Sequence, residues 1–124
     1  MKGRSEGEVL AGIMAYLDMR PDIFYWRNNV GATETRGGGF LKFGAVGSAD
    51  IIALQAPLGR FTAIEVKREV GGTVSPDQKW WGQQVEAHGG QYIVARSVDE
   101  VAIALGVPVV RVVKAPRRKR VFPK

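Results

Sequence analysis

The chain has 124 residues, 45% of them apolar and 24% charged, which suits one soluble domain with a packed core. It has no Cys and a single His, His88, so disulfides, thiolate metal sites and zinc sites built on several imidazoles are excluded. Any metal must then sit among oxygen ligands, as Mg²⁺, Mn²⁺ or Ca²⁺ does. The net charge of +6 is unevenly placed: seven basic and no acidic residues lie between Arg111 and Lys124, while the first 110 residues carry 11 basic and 12 acidic. A basic tail of this kind suits a polyanion, most often nucleic acid, although a solvated terminus has the same composition.

In chain order, Ser5 to Leu17 has helical spacing. Val9, Leu10, Ile13, Met14 and Leu17 form one apolar face, Ser5 is placed to cap it, and Glu6 and Glu8 suit its positive end. Ile23 to Val30 is aromatic and β-branched and reads as a strand. Gly31 to Gly39 reads as a loop, Phe40 to Phe43 as a short strand, and Asp50 to Leu54 as a short buried strand. The turn Pro57–Gly59 and the alternating stretch Phe61 to Lys67 make the second half of a hairpin. Ser75–Pro76–Asp77–Gln78 has the order of a capping box with Pro at the first helical position, opening a helix to about His88 that Gly89–Gly90 stops. Gln91 to Ala95 is a strand, Val98 to Leu105 a helix and Val109 to Val113 a last strand. There is no repeat and no linker. This order predicts a single α/β domain over residues 1–115 with a mixed central sheet flanked by helices, followed by a basic tail, 116–124. No apolar run approaches a membrane span and no signal-peptide pattern opens the chain, so a cytoplasmic location is expected.

The chemistry is concentrated in Ile64–Glu65–Val66–Lys67. Alternate strand residues share a face, so the Glu65 carboxylate and the Lys67 ammonium emerge together, while Val66 turns to a core and leaves its carbonyl near the site. Pairing across the 57–59 turn could bring Asp50 beside Glu65. Two carboxylates in one site repel each other unless a cation lies between them. A hard divalent ion resolves that conflict, activates water and neutralises phosphate charge, with Lys67 able to orient the water and stabilise the transition state. A cross-strand ion pair on a solvated face would leave the same spacing.

Taken together, Gly47–Ser–Ala–Asp50–Ile–Ile, Ile64–Glu–Val–Lys67 and Gly72–Thr–Val–Ser–Pro–Asp–Gln78 resemble the PD-(D/E)XK nuclease superfamily, and within it the VRR-NUC family. The resemblance extends to Trp26–Arg–Asn–Asn–Val–Gly–Ala32 and Gly89–Gly–Gln–Tyr–Ile–Val–Ala–Arg–Ser97, spanning about Ser5 to Leu105 without the tail. It implies a restriction-endonuclease-like fold, with Asp50 and Glu65 as metal ligands, Val66 lending its carbonyl and Lys67 as the catalytic lysine. Gln78 would match the family's glutamine and support the site. A glutamate on the first helix is also implied. Glu6 is the better candidate than Glu8, since it shares a face with Leu10, Ile13 and Leu17. One departure is Ala49, where the family motif usually has Pro; that position shapes backbone and carries no chemistry.

The expected activity is Mg²⁺-dependent hydrolysis of DNA phosphodiester bonds, with Mn²⁺ able to substitute. The resemblance implies a small, virus-type homodimer acting on branched DNA such as four-way (Holliday) junctions. The alternative is a DNA-binding module of the same fold that does not cut. Candidate DNA contacts are Arg117, Arg118, Lys119 and Arg120 in the tail, with Arg27 and Arg36. Arg27 and Asn28 could contact a phosphate or buttress the dimer, although polar residues on a strand surface need neither role. Of Trp80 and Trp81, at least one is expected in the core, and His88 is expected to close its helix.

Overall fold

A computed structural model describes residues 3–28, 31–34, 36–38, 40–43 and 45–109. Four strands form the central sheet in the order β1 (Ile23–Arg27), β4 (Ile51–Gln55), β5 (Arg60–Val66), β6 (Gln91–Ala95). β4 runs antiparallel to both β1 and β5, and β5 and β6 are parallel. The parallel pair needs a crossover, which α2 (Pro76–Ala87) supplies. α1 (Glu6–Asp18) and α3 (Val98–Leu105) complete the helices, and the sheet is mixed, as the order of elements predicts.

The sheet separates two apolar layers. On one face, Ile51, Ala53, Ile64, Val66, Ile93 and Ala95 pack with Val9, Ile13 and Leu17 of α1 and Val101 of α3. On the other, Ala49, Ile52 and Ala63 pack with Val85 of α2, with Trp81 and Tyr92 alongside. The alternation of Thr62, Ala63, Ile64, Glu65 and Val66 therefore sends Ile64 and Val66 to the α1–α3 layer, and Ala63 and Glu65 to the α2 layer.

The helix ends follow from their caps. Ser5 Oγ accepts from Glu8 N at 3.1 Å and Glu8 Oε1 accepts from Ser5 N at 2.9 Å. Ser75 and Gln78 repeat the arrangement on α2, at 3.2 Å and 2.9 Å. His88 closes α2, its Nδ1 lying 2.7 Å from the Gln84 carbonyl oxygen.

Two expectations change. The stretch Gly31 to Gly39, read as a loop, contains a strand: β2 (Gly31–Glu34) pairs antiparallel with β3 (Phe40–Phe43) in a separate two-stranded sheet. Gly–Ala–Thr–Glu lacks apolar alternation, and its strand exists through backbone pairing with a partner a few residues on, which no local pattern records. The first strand ends at Arg27 rather than Val30; Asn28 follows it, and residues 29 and 30 lie outside the described residues. The expected last strand also lies there except for Val109, which is not in a strand. Its N–H donates to Asp22 Oδ2 at 3.0 Å. No described helix is long and apolar enough to cross a membrane.

Candidate active site

β4 and β5 pair Ile51 with Ile64, so the same register carried one step further sets Asp50 opposite Glu65, on the α2 face. Asp50 lies just before β4 and is held from two sides. Its Oδ2 accepts from Val66 N at 2.7 Å, and its carbonyl accepts from Asn28 N, also at 2.7 Å. The Asn28 side chain ties the preceding residues, donating to Ser48 Oγ at 2.8 Å and to the Ala49 carbonyl at 3.0 Å. Asn28 thus buttresses the segment that presents Asp50. Gly47, with φ +82°, lets that segment lie against the start of α2, because a Cβ there would stand 2.6 Å from the Asp77 carbonyl oxygen.

Glu65 is 3% exposed. Its Oε2 accepts from Gln78 Nε2 at 2.8 Å and lies 3.5 Å from Lys67 Nζ. Lys67 Nζ in turn donates to Gln78 Oε1 at 3.0 Å. Gln78 therefore joins the acid and the base with the two ends of its amide while Oε1 also serves the α2 cap. The capping role and the site role, which compete as explanations of this residue in the sequence, coexist in one side chain.

The charge at the site is unbalanced. Burial first, and then the Asp50 carboxylate, push the Glu65 carboxyl up to about 7, against the opposing pull of Lys67. Its Oε1 is buried with no hydrogen-bond partner. The Lys67 ammonium pairs with Glu65 alone, and the Asp50 carboxylate stands against the same group. A hard cation fits that deficit: it neutralises the second carboxylate and gives Oε1 a partner, and carboxylate and carbonyl oxygens are the donors it prefers. Asp50 and Glu65 are the residues that would hold it, with the Val66 carbonyl beside them.

Other candidates are placed differently. Glu6 is exposed on the first turn of α1, before the stretch Val9, Ile13, Leu17 that packs on the sheet, so it does not face the core as its spacing suggested. α1 does begin near this end of the sheet, since Arg4 N donates to Glu69 Oε1 at 2.8 Å. Among the described residues, however, no third Asp, Glu or His makes a group of three able to hold a metal. Glu8 is occupied by its cap, which holds its carboxyl below the usual range. Arg27 is exposed and pairs with Ile51, which puts it on the α1 face, away from Asp50 and Glu65. Arg36 is exposed in the turn between β2 and β3. Trp81 packs beside Phe61 and Tyr92 while Trp80 is exposed. Arg117, Arg118, Lys119 and Arg120 lie outside the described residues.

Tyr92 carries no motif of its own in the sequence beyond its strand. It stands on the α2 face next to Ala63, one strand over from Glu65, and its hydroxyl is buried. Its only local signal was strand alternation.

Comparison with protein families matches the VRR-NUC domain to residues 10–99, well over half of the chain and including Asp50, Glu65, Lys67 and Gln78. Comparison with curated proteins and with solved structures gives no match.

Proposed function

Since the chain belongs to the VRR-NUC domain family, a family of nuclease-type DNA-processing domains, we propose that it is a Mg²⁺-dependent DNA endonuclease working at Asp50, Glu65 and Lys67. The observation that carries this reading is the deeply buried Glu65 set against the Asp50 carboxylate, with its Oε1 left without a hydrogen-bond partner. A bound Mg²⁺ would supply Lewis acidity at a phosphate oxygen and a more acidic attacking water.

The chain's own groups account for the rest. Asp50 is oriented by the Val66 amide, so its position does not depend on the ligand. Gln78 holds Glu65 and Lys67 in one geometry, which cuts the reorganisation needed at reaction. Lys67, only 12% exposed in its side chain, places a fixed positive charge beside the carboxylates. There it can orient the attacking water and offset the charge that builds on the phosphorus-bound oxygens. Water attacks phosphorus directly, with no Ser/His or Cys/His pair to form a covalent enzyme intermediate.

A domain this small has little surface with which to recognise branched DNA. We take the working species to be a homodimer, whose two sites could make paired cuts across a four-way junction. The tail from Arg117 to Lys124 would hold flanking phosphates.

The test is cleavage of labelled duplex, flap, four-way junction and single strand with Mg²⁺ and with EDTA, beside Asp50→Ala and Glu65→Ala. Cleavage should need Mg²⁺ and vanish in both variants while DNA affinity persists. Cleavage by either variant at the wild-type rate would defeat the reading, and binding of DNA without any cutting would favour the non-cleaving module. Sedimentation at micromolar concentration checks the dimer.

A further inference from the structure

Among the described residues, two buried side-chain polar atoms have no hydrogen-bond partner: Glu65 Oε1 and the Tyr92 hydroxyl. Both belong to the α2 layer. β5 and β6 are parallel with Ala63 beside Tyr92 and Glu65 beside Val94, so Tyr92 is the diagonal neighbour of Glu65 on the same face. A diagonal neighbour on the adjoining strand is within reach of a long aromatic side chain, and the charges of Glu65 and Asp50 both act on the Tyr92 hydroxyl.

The ring is held in place at some cost to the helix above it. Gly82 is a buried position inside α2, where glycine is worse than alanine by about 1 kcal/mol. A Cβ there would stand 2.5 Å from Tyr92 Cδ2 and Cε2 and 2.8 Å from Cζ. The ring thus lies against the bare backbone of α2, and Trp81 meets it edge-on with centroids 6.2 Å apart. Neither contact engages the hydroxyl. Burial, and then the charges of Glu65 and Asp50, push that hydroxyl up to about 12, so it stays protonated and is a donor. The hydroxyl is therefore a donor and the Glu65 carboxyl oxygen can accept from it, on one face and under one helix. Leaving both unsatisfied would be costly, and one ordered water makes about three such bonds.

We propose that Tyr92 is a positioning residue of this site: its hydroxyl donates, through one buried water, to Glu65 Oε1 and fixes the rotation of that carboxylate. Gln78 and Lys67 hold Oε2, and Tyr92 completes the restraint from the other oxygen, leaving the second lone pair of Oε1 for the cation. Partners behind a metal ligand commonly change affinity or activity about 10- to 100-fold. The proposal rests on the reading of Asp50 and Glu65 as cation ligands.

Tyr92→Phe removes one oxygen and keeps the ring against Gly82 and Trp81. Mn²⁺ binding to the whole chain, measured by calorimetry with no DNA present, should weaken about 10- to 100-fold. The thermal midpoint of the metal-free protein should stay within a few degrees of wild type. At saturating Mn²⁺ the KM for DNA should be unchanged while kcat falls, a split that a loss of packing would not give. Mn²⁺ affinity within twofold of wild type would overturn the proposal. Asp50→Ala serves as the control for the underlying reading. If it loses Mn²⁺ binding while Tyr92→Phe retains it, the role of Tyr92 alone fails. If Asp50→Ala binds Mn²⁺ as wild type does, the cation site and this proposal fall together.

Discussion

The two ends of the central strands treat buried charge in opposite ways. At one end, Arg20 and Asp22 form a closed pair, 5% and 4% exposed. Arg20 Nε and Nη2 donate to the two Asp22 oxygens at 2.9 and 2.8 Å, and Nη1 donates to the Tyr16 hydroxyl at 2.7 Å and the Gly106 carbonyl at 3.2 Å. The guanidinium holds the Asp22 carboxyl down to about 2, and Asp22 in turn keeps Arg20 protonated beyond its ordinary range. At the other end, Glu65 is buried as deeply, yet its carboxyl is driven up and one oxygen is orphaned. Burial is common to both. What differs is whether the fold supplies the countercharge, and the end where it does not is the one assigned chemistry. A buried charge by itself is thus no sign of function; an unbalanced one makes its surroundings a candidate site.

Breaking the closed pair should have the largest effect on stability. Arg20→Ala strands the Asp22 carboxylate and also removes the bonds to Tyr16 and Gly106, and should destabilise by about 3–5 kcal/mol in urea unfolding. Cleavage per folded molecule should be little changed. A stable Arg20→Ala protein would mean that the pair is solvated and the contrast false.

Lys67→Ala should do the reverse. The rate should fall by about 10²- to 10³-fold in single-turnover cleavage, the scale of removing one fixed transition-state partner. Mn²⁺ affinity should persist because Asp50 and Glu65 remain. If calorimetry shows that affinity collapsing, Lys67 orders the ligands instead of acting on the reaction.

The pH dependence separates the ends by sign. Glu65 has a folded value raised from 4.5 to about 7, so its share of stability is fully present below about 4.5 and is lost as pH rises through 7. Asp22 has a value lowered from 3.8 to about 2, so its share is present above about 3.8 and is lost as pH falls through 2. Metal-free Glu65→Gln should therefore be more stable than wild type at pH 8, on the order of 2 kcal/mol, with no difference near pH 4. Added Mg²⁺ should recover the same loss in wild type. A wild-type stability that is level from pH 4.5 to 8 without metal would show that Glu65 carries no excess charge.

The smallest effect belongs to the tail, whose root is tied to the closed end. Val109 N–H bonds Asp22, while Asp50 sits at the opposite end of β4, whose other end leads to Ala56 bonded to the Asp22 carbonyl. Truncation after Ala115 removes Arg117, Arg118, Lys119, Arg120 and Lys124 and leaves both ends intact. Binding to duplex should weaken, with a salt slope shallower by about 0.9 for each phosphate no longer neutralised, and KM should rise with little change in kcat. An unchanged slope with a lower kcat would place the tail in the active site.

The elements most visible in the sequence are those set by local periodicity. The caps at Ser5 and Ser75, the strand Gln91–Ala95 and the helix Val98–Leu105 coincide with the structure, because a cap or an apolar stripe is decided within a few residues. Glu65 and Lys67 share a face for the same reason, and strand alternation alone put them together. Glu6 shows the limit of that reasoning. Its position on the helical wheel was right for the core, but burial depends on where the sheet ends, and the first turn of α1 lies beyond it.

Relations between distant segments, by contrast, came only with the assembled fold. The register that sets Asp50 opposite Glu65, the Asn28 brace, the strand at Gly31–Glu34 and the room that Gly82 leaves for Tyr92 all depend on backbone pairing or close approach between separate elements. The charge imbalance belongs to the same class. The residues Asp, Glu and Lys are plain in the sequence, but whether Glu65 keeps its water or loses it is decided by the helix that packs over it. Desolvation is a property of the assembled layers and has no local periodicity to betray it.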